Sequence, residues 1–148
     1  MNTHPYLRAY LAGVFFPTLI LPVILAGFIT VRLVLAVPIP IERFVIFPMA
    51  LVPTLWGLWN MLWLGSHART HLAVGLHGAA LPVLLMPLGA MVACSLGILA
   101  IGLHGVVWFN KFNVPYVLIA PCWLAAIAGY YLAWKFIVGF LNRVFVIA

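Results

Sequence analysis

The chain has 148 residues, of which 68% are hydrophobic and 5% charged, and its mean hydropathy is +1.27. Soluble domains carry about 25% charged residues, so a water-solvated globule is excluded and lipid is the expected solvent. The net charge of +6 comes from isolated Lys and Arg residues set against one acid, Glu42. A nucleic-acid surface needs a basic run or stripe, so no nucleic-acid partner is expected, and the charges read as markers of span ends.

Those charges leave uncharged runs at 9–31, 44–68, 70–110 and 112–134. A hydrocarbon core of about 30 Å needs about 20 helical residues, so each run holds one span. The third is long enough for two, but its first part contains His71, Gly75, His77 and Gly78 and is too polar for the bilayer centre. The expected fold is an all-α integral membrane protein. It is a single transmembrane domain over 1–148, a four-helix bundle with short loops and helices near 9–33, 43–64, 78–104 and 114–140. A β-barrel would show alternating segments of about ten residues, which these solid apolar runs lack.

In chain order, the first apolar run follows Thr3, His4 and Arg8 and is too long for the apolar part of a signal peptide, so it is read as the first helix. Pro38 and Pro40 then force an extended crossing. Arg32, Glu42 and Arg43 bracket that crossing, and Glu42 at the start of the second helix, where the dipole favours an anion, reads as a structural ion pair. Within the second helix Trp56, Trp59 and Trp63 share one face. Near a span end that face is the expected interfacial aromatic belt; the functional alternative is a wall for a cofactor or quinone. Asn60, the only amide in that span, needs a partner in lipid: another helix, a carbonyl freed by a proline, or a ligand. Every helix carries two prolines, Pro17 and Pro22, Pro48 and Pro53, Pro82 and Pro87, Pro115 and Pro121, each able to bend its helix.

His67, His71 and His77, with Arg69, follow the second helix. Imidazole binds metals and haem, so these three are the candidate metal or cofactor ligands. A tri-histidine zinc site lacks nearby carboxylates to orient the rings, and a polar turn at headgroup level is the plainer reading. Further along, Gly89, Ala93 and Gly97 repeat every four residues, as do Ala125, Gly129 and Ala133, making stripes suited to close backbone approach. An antiparallel hairpin turning between His104 and Val114 brings Gly89 to Gly129 and Ala93 to Ala125, and the tightest helix pair is expected there. Cys94 and Cys122 fall in apolar segments and read as inert small hydrophobes. The tail after Lys135 stays apolar, relieved by Asn142 and Arg143.

Arg8, Arg69, Lys135 and Arg143 mark one membrane face and Arg32, Arg43 and Lys111 the other. The balance places both termini in the cytoplasm, in the inner membrane of a prokaryote. Length and layout are similar to those of small multidrug transporters and membrane-associated eicosanoid and glutathione enzymes. The chain has neither an acid in its first helix nor an Arg-rich polar second helix. Paired carboxylates and a phosphate-binding glycine loop are also absent. The expected role is a non-enzymatic accessory, structural or assembly subunit of a larger membrane complex, with the bilayer and other membrane subunits as partners and no cofactor. The alternatives are a small oligomeric transporter or channel using Asn60 and Glu42, and a His-ligated haem or pigment protein.

Overall fold

The computed structural model describes residues 4–38 and 47–147. Helix α1 (Pro5–Leu33) opens with proline at its first position, where a missing N–H leaves no bond unmade. It runs through Pro17 and Pro22, and Thr18 and Thr30 return their hydroxyls to Val14 and Ala26 carbonyls at 2.7 and 2.9 Å. Helix α2 (Phe47–Thr70) continues beyond its expected end at 64. It stops where His71 takes a left-handed backbone with φ 50°. After a turn at 71–73, α3 (Val74–Ser95) begins earlier than expected, so the polar segment is helical at both ends.

The expected third helix over 78–104 ends instead at Ser95. Gly97, at φ +67°, lets the Ile98 N–H reach the Ala93 carbonyl at 2.9 Å and the Gly97 N–H reach that of Cys94 at 3.0 Å. This double closure satisfies the last carbonyls and terminates a helix, with Ile98 packing back on Ala93. Gly97 is therefore a helix stop and not the third member of a packing stripe.

A three-stranded antiparallel sheet follows, in place of the short loop expected: β1 (Leu99–Ile101), β2 (Gly105–Trp108) and β3 (Phe112–Pro115) in the order β1-β2-β3. The register pairs Ala100 with Val107 and Val107 with Asn113. Phe109 and Asn110, both at φ 55°, form the β2–β3 turn, closed by the Lys111 N–H to the Trp108 carbonyl at 2.9 Å. Within this three-residue connection, 109–111, the two consecutive positive φ values give the turn a twist that matches that of the strands. Leu99 and Val106 close over Ala93 and Ile98 as a small separate core.

Pro115 leads into α4 (Tyr116–Leu132), which passes into a π-helical segment (Ala133–Val138) and then α5 (Gly139–Val144). The wider π turn re-aims the helix. Trp134 and Val138 become fully buried, and α5 swings toward α1.

Among the described residues three helical stretches are long and apolar enough to cross a membrane: Pro5–Leu33, Val74–Ser95 and the continuous Tyr116–Val144. That is consistent with an integral membrane location. The fourth long helix, α2, is less apolar and lies along α1. The closest helix-to-helix backbone approach among the described residues is here. A Cβ on Gly13 would lie 2.5 Å from the Trp56 carbonyl oxygen, and one on Gly57 the same distance from the Tyr10 ring. The tightest pair is thus α1 with α2, whereas a Cβ on Gly89 or Gly129 would meet nothing within 4 Å. α3 and α4 still pack along each other, but with α3 shortened and the sheet inserted Gly89 and Gly129 do not meet. Toward the start of α3, Gly75 lies against the Tyr131 ring and Gly78 against the Trp134 ring.

Candidate functional site

The polar side chains that bond between helices gather at the end of the bundle that holds the α2–α3 turn, the start of α1 and the end of α5. On α2, Trp56, Trp59, Asn60 and Trp63 recur at helical spacing and face inward, with Trp56 and Trp63 3% and 4% exposed. An outward interfacial belt is therefore not what these tryptophans form. The Trp56 ring packs against Phe16, Tyr130 and Trp134 at centroid distances of 5.7, 5.1 and 5.4 Å, and with Leu81, Trp134 and Val138 it makes the main core. Between helices surrounded by lipid this close packing, with hydrogen bonds, supplies the association energy, because lipid chains are as apolar as the core.

Trp59 and His77 bind each other twice. The Trp59 indole N–H donates to the His77 carbonyl at 2.8 Å, and His77 Nε2 lies 2.9 Å from the Trp59 carbonyl. A carbonyl only accepts, so Nε2 carries the proton. The two rings stack at 4.7 Å. One turn further on, the Trp63 indole and His67 Nδ1 both donate to the Leu72 carbonyl, at 3.0 and 3.2 Å. These bonds pin the turn, whose backbone carbonyl would otherwise lie without a donor. His71, in its left-handed conformation, stays exposed.

The three histidines therefore do not converge on a metal. His67 and His77 each spend a ring N–H on a backbone carbonyl, and among the described residues no group of three or more His, Cys, Asp or Glu side chains is placed to hold an ion.

Asn60 is fully buried. Its Nδ2 donates to the Ala9 carbonyl and to Asn142 Oδ1, both at 2.8 Å, and Asn142 Nδ2 returns a bond to Asn60 Oδ1 at 3.1 Å. This reciprocal amide pair ties α1, α2 and α5 at one point. Asn142 is the partner that sequence reasoning missed. The available signal was that two amides in otherwise apolar helical segments have strong reason to find each other.

Of the other candidates, Ala125 is exposed along with Gly89 and Gly129, and Ala93 belongs to the core under the sheet. Arg32 lies exposed in the last turn of α1. Glu42 and Arg43 lie outside the described residues, and with them the expected ion pair. Cys94 and Cys122 are free thiols, the second exposed.

Among the described residues these polar side chains brace one helix against another, in a largely helical fold consistent with an integral membrane location. No family model matches the chain, and neither a curated protein nor a solved structure matches it.

Proposed function

We propose that the chain is a non-enzymatic accessory, structural or assembly subunit of a larger membrane-protein complex, and that it crosses the membrane four times. The observation that carries this reading is α4. It belongs to a candidate span, yet none of its residues from Tyr116 to Leu132 is buried. Its small side chains Ala125 and Gly129 stand open on the surface, where a helix from another subunit can approach closely. The same bundle turns its indoles and amides inward onto one another, leaving shape as the main thing its outer face offers.

The fourth span is α2. At 24 residues it is about 36 Å long at 1.5 Å per residue. Its lower hydropathy comes from the tryptophans and asparagine on its inward face. Four crossings place both termini with the α2–α3 turn, beside Arg8, Arg69, Lys135 and Arg143, and the positive-inside rule makes that face cytoplasmic, in a prokaryotic inner membrane.

Native mass spectrometry after mild extraction from the host membrane tests the reading. Other chains at fixed stoichiometry are expected. A homo-oligomer alone would overturn the reading and favour a transporter, and a visible absorption band lost on His→Ala substitution would favour a pigment protein.

A further inference from the structure

Arg8 sits in the first turns of α1, and its Nη1 donates to the Phe145 carbonyl at the end of α5 at 2.9 Å. That bond fixes the plane of the guanidinium. The opposite edge, Nε and Nη2, is shielded from solvent and has no acceptor among the described residues. A guanidinium is charged at every physiological pH, so the edge calls for an anion. The sequence offers a single carboxylate side chain, Glu42, which lies outside the described residues. The charged side chains at Arg8's own end, Arg69, Lys135 and Arg143, are all cationic.

We propose that the Nε/Nη2 edge of Arg8 binds a phosphate oxyanion, supplied by a lipid headgroup. The parallel N–H bonds of that edge match two oxygens of one phosphate. The depth matches too: Arg8 lies near the start of a 29-residue span, where headgroups meet helix ends, and the exposed ring of Tyr6 stands in the same turn. Arg8 as a whole is only part-buried, so the donors lie just beneath the surface. A bound phosphate would tie the start of α1 to the end of α5 through the residue that already bridges them.

The test uses the full-length protein, delipidated in detergent and titrated with phosphatidylglycerol or with a glucosyl diacylglycerol of the same acyl chains, read by native mass spectrometry. One phosphatidylglycerol is expected to be retained about tenfold more strongly than the phosphate-free lipid, the factor of one bidentate charge-assisted contact. Arg8→Lys keeps a cation but lacks the fork and should lose that preference, whereas Arg143→Lys should keep it. Inorganic phosphate that displaces the lipid identifies the oxyanion alone as sufficient, and failure to displace it shows that the acyl chains are needed; both outcomes support the site. Equal retention of the two lipids by the wild-type protein would overturn the proposal, and that arm stands even if Arg8→Lys fails to fold. Equal retention of phosphatidylglycerol by folded Arg8→Lys would overturn it as well.

Discussion

Asn60 and Asn142 show how few polar side chains hold this end of the bundle together. Each amide is buried and each serves the other, so removing one strips the remaining amide of its reciprocal bonds in a low-dielectric surrounding, although Asn60 keeps its bond to the Ala9 carbonyl. Asn60→Leu or Asn142→Leu alone should destabilise the protein by about 1–3 kcal/mol, while the double substitution should recover most of that loss. Unfolding in mixed micelles, run as a double-mutant cycle, measures it; additive losses would mean that the pair is not coupled. The Trp59–His77 exchange makes a parallel case. Trp59→Phe keeps the stacked ring but removes the donor to the His77 carbonyl, and about 1 kcal/mol of stability is expected to go with it. The need of Asn60 for a partner was legible in the sequence because an isolated amide in an apolar helix is costly. Its partner was not, because Asn142 reaches it only through the π-helical turn, and nothing in AWKFIV announces an i→i+5 pattern. The inward turn of Trp56 and Trp63 was hidden for a related reason: a tryptophan face near a helix end has the same spacing whether it meets headgroups or a neighbouring helix.

Among the elements, the long helices follow from the uncharged runs, and the sheet is where reading by hydropathy fails. Residues 96–104 are apolar enough to pass for the end of a span, and 105–113 for a plain loop. The strand signals were Val106, Val107 and Trp108, together with Gly97, whose positive φ ends α3. The β2–β3 turn lacks the Asn-Gly pair that marks such turns, since Phe109 and Asn110 occupy the two left-handed positions. A left-handed backbone costs an ordinary L-residue about 1–2 kcal/mol. Replacing the pair with Asn-Gly (Phe109→Asn, Asn110→Gly) should therefore raise stability by about 1 kcal/mol, seen as a higher denaturation midpoint. Gly97→Val should lower it by a similar amount. Small residues gave an equally ambiguous signal. Gly13 and Gly57 lie at a true backbone contact and Gly89 and Gly129 do not, although all four read alike in an apolar chain. Gly13→Leu, which drives a side chain toward the Trp56 carbonyl, should cost about 1–3 kcal/mol; Gly89→Ala should be close to neutral.

At the scale of the molecule, a well-braced α1–α2 pair and a cross-linked turn stand at one end, a sheet stands at the other, and α4 is left with no buried side chain. The bundle's internal bonds do not involve Ala125 or Gly129, so the fold and the proposed assembly can be separated by substitution. Topology reporters fused at the N-terminus and at Leu103, which is 94% exposed between β1 and β2, should report opposite sides of the membrane, because α1, α2 and α3 lie between them; the same side for both would remove the fourth span. The most direct measurement compares the wild-type protein with Gly129→Leu, both expressed in the host membrane, extracted in mild detergent and weighed by native mass spectrometry beside a thermal melt of the isolated chain. The account predicts an unchanged melt and loss of the heterologous assembly. An assembly that survives Gly129→Leu at wild-type stoichiometry, or a wild-type chain that carries no other subunit, would contradict it.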